Sequence, residues 1–315
     1  MKRPRICVVG SSNTDMVVKS DRIPAVGETV TGGTFVMAAG GKGANQAVAA
    51  ARLGAEVTFV AKVGSDVFGD QAIGGYRKEG IVTDFILHDP ANATGVALIL
   101  VDGKGENLIS VASGANHALS PADVEQAAEA IRSADVVVLQ LECRLETVMR
   151  AAELAAAAGV RVILDPAPAP DGPLPEALLR CVTCIKPNET EAERLTGVKV
   201  TDQASAVEAA RRLLAAGARQ AIITLGAQGA VVVESCDTVE QVASPRVEAI
   251  DSTAAGDCFS GALACGMGQG KPLAEAARWA AVAASLSVTR LGAQPSLPTT
   301  AETLEFACRL GISLS

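Results

Sequence analysis

Aromatic side chains are scarce in this sequence: six Phe, one Tyr and one Trp make up 3% of 315 residues. The 49% apolar content is carried instead by Ala, Val, Leu and Ile, and a chain of this length can bury about three quarters of its unfolded surface. Histidine is scarcer still. His88 and His117 stand alone in loop-like sequence, which leaves His-based triads and His-rich metal sites without support. No apolar run reaches the roughly 18 residues of a membrane span, and the run at 6–9 is too short for a signal-peptide core. A soluble protein with a cytoplasmic address and no membrane partner is the expectation. Basic charge is in deficit, with a net charge of -8, which argues against nucleic acid as a partner and leaves room only for a local basic groove. The eight cysteines are scattered through apolar runs and are not spaced as a disulfide framework. Cys181-Val-Thr-Cys184 is the one metal-like spacing, yet it has no second pair and no nearby His.

What the chain does have is alternation. Residues 6–10 read as a buried strand, and Ser11, Ser12, Asn13, Thr14 and Asp15 break it with polar groups at its carboxyl end, the end at which open α/β sheets bind ligands. The Thr-, Val- and Gly-rich stretch 27–36 suggests a hairpin or small accessory sheet. Strand-like runs follow at 57–63, 96–101, 135–141, 160–164, 182–185 and 221–225, with amphipathic helices at 122–132, 145–158 and 204–216 among them. Helices at 47–53, 274–287 and 301–310 complete the pattern. Continuous apolar strands alternating with helices predict an α/β fold: three layers, a mostly parallel sheet flanked by helices on both faces. One domain over 1–315 is expected, with a small β-strand lid drawn from about 15–40 and 94–112.

The stretch 250–263 is the one around which the rest of the chain is organised. A polar segment runs into Ala254, Ala255 and Gly256 and then into a helix-compatible run. Small residues at a helix start leave bare N–H groups that, with the macrodipole, suit an anion. Asp257 in that first turn is then either a base that takes a proton from an attacking hydroxyl or a carboxylate decorating a helix end. Gly40-Gly41-Lys42-Gly43 has neither the spacing of the nucleotide P-loop nor the third Gly of the dinucleotide fingerprint. Its glycines, with Asn45, Asn13 and Asp15, suit either a polyhydroxylated ligand or turns and caps. Asn188 and Glu191 share the first turn of a helix, where they could face hydrated magnesium and phosphate; as a capping box, which the spacing favours, they need no ligand. Thr224-Leu225-Gly226-Ala227-Gln228-Gly229 ends a strand with glycines that either admit phosphates or form a hairpin turn.

These weak signals occur in one order, and together they resemble the sugar kinases of the ribokinase/phosphofructokinase-B family from about residue 6 to 298. The block 40–46, Asn188-Glu189-Thr190-Glu191, Thr224-Leu225-Gly226, 251–257 and Thr289-Arg290-Leu291-Gly292-Ala293-Gln294-Pro295-Ser296 carry the likeness. The resemblance implies transfer of phosphoryl from ATP to the 5-hydroxyl of D-ribose, with Asp257 as base and Ala254, Ala255 and Gly256 as anion hole. Asn13, Asp15, Gly41, Lys42, Asn45, Glu142 and Asp257 would hold ribose; Asn188, Glu191, Thr224 to Gly229 and Gly256 would face ATP, with Glu191 holding Mg2+ through water. Asp251, Thr253, Ser287, Arg290, Gly292 and Ser296 match a loop that holds K+, and relatives pair as homodimers through their lid strands. Ala254, where many relatives have Gly, favours the ribokinase branch, and the paucity of aromatics favours a bare sugar over a nucleoside. Ala281 stands where Asn or His often meets the nucleotide, and Cys258 replaces the usual hydroxyl residue after the base. Rival readings are a kinase for 2-deoxyribose, fructose or adenosine, and a non-catalytic sugar-binding regulator. An oxidoreductase using a dinucleotide is disfavoured by the missing fingerprint.

Overall fold

The computed structural model describes residues 3–313. Its strands are, in chain order, β1 Arg5–Val9, β2 Asn13–Lys19, β3 Thr34–Gly40, β4 Glu56–Gly64, β5 Ile86–Asp89, β6 Gly95–Val101, β7 Asn107–Ala112, β8 Val136–Leu139, β9 Arg161–Leu164, β10 Cys184–Ile185, β11 Gln220–Thr224, β12 Ala230–Val233 and β13 Val239–Val242. Nine of them form one sheet in the order β13-β12-β11-β10-β9-β8-β1-β4-β5. It is parallel from β11 to β5, with β12 and β13 added antiparallel at one edge. Successive residues of a strand point to opposite faces, and both faces are covered. Ile6, Val8, Val136 and Val138 enter one apolar core, whereas Cys7, Val9, Val137 and Leu139 enter the other. Such strands must be apolar throughout, which is why 136–139 reads Val-Val-Val-Leu with every residue buried.

The chain runs from β1 outward to β4 and β5, then returns to β8 on the other side of β1. The direction of winding therefore reverses between β1 and β8. Helices connecting the two halves lie on opposite faces of the sheet, so a crevice opens at the carboxyl ends of these two strands.

The remaining strands make a second sheet, β3-β2-β6-β7. The apolar run at 96–101 belongs here as β6, paired parallel to β2, within the stretch 94–112 expected to supply lid strands. No strand forms before Thr34 in the stretch expected to pair from 27 onward; Gly27 and Gly32 adopt left-handed turns there, and β3 occupies Thr34–Gly40. The helix expected at 122–132 is broken at Ala127 into Pro121–Gln126 and Ala128–Ser133. The strand expected at 182–185 is ladder-paired over Cys184–Ile185 alone, because Val182 terminates the preceding helix.

Candidate active site

The crevice is furnished by residues that directly follow parallel strands: Ser11 and Ser12 after β1, Gln140 and Glu142 after β8, Asp165 after β9 and Lys186 after β10. Facing them are the first turns of two helices, Lys42–Arg52 and Ala255–Gly268. Gly41 and Gly43 are glycines because the chain doubles back on itself. A Cβ on Gly41 would stand 2.7 Å from the Asn13 backbone nitrogen, and one on Gly43 would stand 2.6 Å from that of Ser11. Their close neighbour is thus this chain's own backbone, a role that glycine-rich composition alone does not separate from ligand contact.

Asp257 sits in the first turn of the helix Ala255–Gly268 with 6% of its surface exposed. Asn45 Nδ2 donates to its Oδ2 at 2.9 Å and Gln46 Nε2 donates to its Oδ1 at 3.0 Å. Burial pushes this carboxyl up to about 6, and Asp165 pushes the same way, against the opposing pull of Lys42 and the two amide donors. Because the Asn45 amide nitrogen is turned to Asp257, its Oδ1 faces away, buried and without a hydrogen-bond partner among the described residues. An orphaned acceptor of this kind costs roughly 1–3 kcal/mol unless a ligand donates to it. A hydroxyl is the natural donor.

The backbone before Asp257 is held in an unusual shape. Ala254 has φ 61°, the one positive value among the described non-glycine residues, and such a conformation costs an L-residue roughly 1–2 kcal/mol. Strain of this sort persists where the surroundings over-determine it. Ala255 N–H already donates to Ser252 O at 3.2 Å, so it is not among the open amides that the small-residue turn promises. The N–H groups of Ala254, Gly256 and Asp257 have no acceptor among the described residues, and they point out of the helix with its positive end.

Glu142 ties the crevice together. Its Oε2 accepts from Ser11 Oγ and, at 3.0 Å, from Lys42 N. Burial would lower the Lys42 ammonium, but Asp257, Asp165, Glu142 and Glu191 around it hold it above its ordinary value. Asp15 is raised to about 6 by burial and then by Glu142. Asn13 is fixed by Asn116, whose Nδ2 donates to its Oδ1 at 2.6 Å, so the Asn13 amide must offer its own N–H groups elsewhere. Asp15, Lys42, Asn45, Glu142 and Asp257 are thereby connected through hydrogen bonds and charge into one site, and Asn13 adjoins it at the backbone of Gly41.

On the far side, Asn188 and Glu191 form the capping box that their spacing favours, each side chain accepting from the other's backbone N–H at 2.9 Å. Glu191 still acts on the Lys42 charge. Thr224 pairs with Asn188 in an isolated bridge, and Gly226 to Gly229 make the turn of the β11–β12 hairpin. Ala281 is 4% exposed and packs in the apolar core. In the loop beyond, Asp251 Oδ1 accepts from the N–H and the hydroxyl of Thr253, and Oδ2 accepts from Gly292 N at 2.8 Å. Burial opposes ionisation of Asp251, yet these bonds outweigh it and hold the carboxyl below its ordinary value. The Arg290 guanidinium instead meets Glu302, and the hydroxyls of Ser287 and Ser296 bond to Ala284 O and Ala293 O.

Sequence reasoning did not single out Gln46, Gln140, Asp165, Lys186, Ser260 or Asn116. Gln46 Nε2 also donates to Asp165 Oδ2 at 2.9 Å and its Oε1 accepts from Gln140 at 2.6 Å; Ser260 Oγ donates to the same Asp165 oxygen at 3.1 Å. Asp165 and Lys186 had one available signal. Each is a charged residue directly after the apolar end of a parallel strand, at the end where such sheets bind.

A buried carboxylate beside open helix amides, at the winding reversal of a parallel sheet, suits transfer of an anionic group to a hydroxyl. The chain belongs to the pfkB family of carbohydrate kinases, whose sequence profile matches residues 3–300. It is 45% identical to the ribokinase of Haemophilus influenzae over 304 residues, 96% of this chain and 98% of that one. It is 39% identical to the deoxyribokinase of Salmonella typhimurium over 93% of this chain and 95% of the other. The structure of Arabidopsis thaliana ribokinase complexed with ribose and ATP superposes with a TM-score of 0.91 at 34% identity, covering 97% of this chain and 99% of that one.

Proposed function

We propose that this chain transfers the γ-phosphoryl group of ATP to the 5-hydroxyl of D-ribose, giving D-ribose 5-phosphate and ADP. One observation carries the reading: a buried carboxylate, Asp257, shares the first helical turn with open amides and adjoins the orphaned Asn45 oxygen. The O5–H proton passes to Asp257 as the bond from O5 to the γ-phosphorus forms. The bond from that phosphorus to the bridging oxygen of ADP breaks in line, and charge on the moving group falls on the amides of Ala254, Gly256 and Asp257. Asn13, Asp15, Gly41, Lys42, Asn45 and Glu142 hold the sugar. Asn188, Glu191 and the turn Thr224 to Gly229 face the nucleotide.

Among the described residues no three metal-ligating side chains converge, so magnesium fits here as an ion carried by phosphate oxygens and water, with Glu191 as an outer acceptor. Bound in that way it supplies charge neutralisation of the phosphates. The loop of Asp251, Thr253, Ser287, Gly292 and Ser296 offers carboxylate, hydroxyl and carbonyl oxygens, the donor chemistry of a hard cation such as potassium, whereas the Arg290 side chain is committed to Glu302. Potassium there would order the turn before Asp257. One face of the second sheet exposes Phe35, Met37, Leu98 and Leu108, an apolar surface that a second copy of this chain would cover as a homodimer. Leu108→Asp is expected to halve the mass found by sedimentation.

The deciding experiment is coupled ADP release with ribose, 2-deoxyribose, fructose and adenosine, each in sodium and in potassium. Ribose should give the highest kcat/KM. A higher value for 2-deoxyribose would move the assignment to the deoxyribokinase relatives, and sugar binding without ADP release would make the chain a regulator.

A further inference from the structure

Two charged residues lie buried beside the first turn of the helix Ala255–Gly268, and neither has a part in the mechanism above. Lys186 Nζ is 3.2 Å from Asp165 Oδ1, with only 3% and 4% of the two side chains exposed. They follow neighbouring parallel strands in register, Ile185 opposite Leu164, so the backbone sets them side by side. Asp165 is fully engaged: its other oxygen accepts from Gln46 and Ser260. Lys186 is not, because an ammonium carries three N–H donors and Asp165 Oδ1 occupies one. Where a Cβ would stand on Gly256, the neighbour it meets is Lys186 Nζ at 3.8 Å. The ammonium therefore looks onto the open first turn of the helix Ala255–Gly268, beside the unpartnered Gly256 N–H.

Stability alone is a poor reason for such a pair. Dehydrating each ion costs several kcal/mol, and apolar replacements of buried pairs are often neutral or stabilising. Charge balance is a better reason. Asp15, Glu142, Asp165, Glu191 and Asp257 bring five carboxylates to this region against Lys42 and Lys186. A triphosphate entering there needs a cation facing it, and Lys42 is already surrounded by four of those carboxylates.

We propose that Lys186 is a catalytic residue for phosphoryl transfer: its ammonium, held on Asp165 in the free enzyme, turns to an equatorial oxygen of the moving phosphoryl group and donates to it. The proton of the sugar hydroxyl still goes to Asp257, and the bonds made and broken are those given above. Asp165, anchored by Gln46 and Ser260, is the positioning residue that keeps the ammonium aimed.

This inference rests on the kinase reading, and its test is a binding measurement that does not need turnover. The double variant D165N/K186M removes both charges together, so no lone buried ion is left to unfold the protein. Wild type and variant are titrated with ADP and with the β,γ-imido analogue of ATP, each with magnesium, and with ribose. The variant should lose at least tenfold in affinity for the analogue while ADP and ribose bind within threefold of wild type; kcat should fall about 100-fold. An unchanged ratio of analogue to ADP affinity overturns the role of Lys186, whatever the turnover. If wild type releases ADP with no sugar, the kinase reading fails and the ratio still decides the contact. Independently of the variant's folding, a crystal structure of wild type with ribose and the analogue should put Nζ in hydrogen-bond reach of a γ-phosphate oxygen. Nζ remaining on Asp165 there would overturn the proposal.

Discussion

Asp257→Asn separates chemistry from stability and should move them in opposite directions. Turnover should fall by two to four powers of ten, the range that a positioned base contributes. The effect on the fold follows from burial. In the folded chain this carboxyl rises from 3.8 to about 6, so above pH 6 the folded state carries an ionised group that the unfolded chain tolerates better. The difference corresponds to about 3 kcal/mol of instability at neutral pH. It is absent below pH 3.8, grows as pH rises through the window 3.8 to about 6, and is constant above it. An Asn removes this cost but cannot accept from both Asn45 and Gln46. The contact to Gln46 is the one to give way, since its Nε2 is shared with Asp165 at 2.9 Å, at a loss of about 1 kcal/mol. A net gain of about 2 kcal/mol, or a few degrees in Tm, is expected at pH 7.5, shrinking to nothing or reversing at pH 4. Thermal melts at the two pH values, ribose titration and coupled ADP release provide the measurements. A variant less stable than wild type at pH 7.5, or one retaining a tenth of wild-type turnover, would refute the reasoning.

Wild-type kcat/KM should fall on the acid side with a bend near pH 6, and more steeply than one power of ten per pH unit, because Asp15 and Asp257 are both raised to about 6; a pH profile flat down to 5 would contradict this. Ala254→Gly relieves the positive φ of 61° and should leave stability equal or up to about 1 kcal/mol higher in urea unfolding, since the freer unfolded chain offsets part of the relief. Asn116→Ala removes the bonds to Ser12 N at 2.8 Å and to Asn13 Oδ1 at 2.6 Å. KM for ribose should rise 10- to 100-fold with a much smaller change in kcat, as steady-state kinetics would reveal.

Strands and helices of the central sheet are legible because burial on both faces demands unbroken apolar runs, and Val136 to Leu139 can hardly be anything else. The same logic does not by itself say which sheet 96–101 joins. An apolar run announces a strand, and β6 is chosen by its partner Asn13–Lys19. The buried carboxylate and its small-residue turn are legible because Asp257 and Ala254 to Gly256 are contiguous, so one helix start contains them. The second carboxylate is not. Asp165 is bridged to Asp257 by Gln46, the three coming from segments far apart in the chain, and no spacing rule connects them. Asn188 and Glu191 stay ambiguous for a different reason: a capping box uses one carboxylate oxygen and leaves the other, so the cap and the ligand reading share the same residues.

β2 begins at Asn13 and includes Asp15, while β3 runs down to Gly40, one residue before the Gly41 turn, with Asn13 in register with Gly40 and Gly95. Asn13 and Asp15, proposed to hold the sugar, therefore belong to the same hydrogen-bonded sheet as the strands above them. Any tilt of its outer rim, where Phe35 and Leu108 lie open, is felt at the pocket floor as a changed grip. Substitutions at that rim, none of them touching the sugar, should consequently surface as altered ribose affinity.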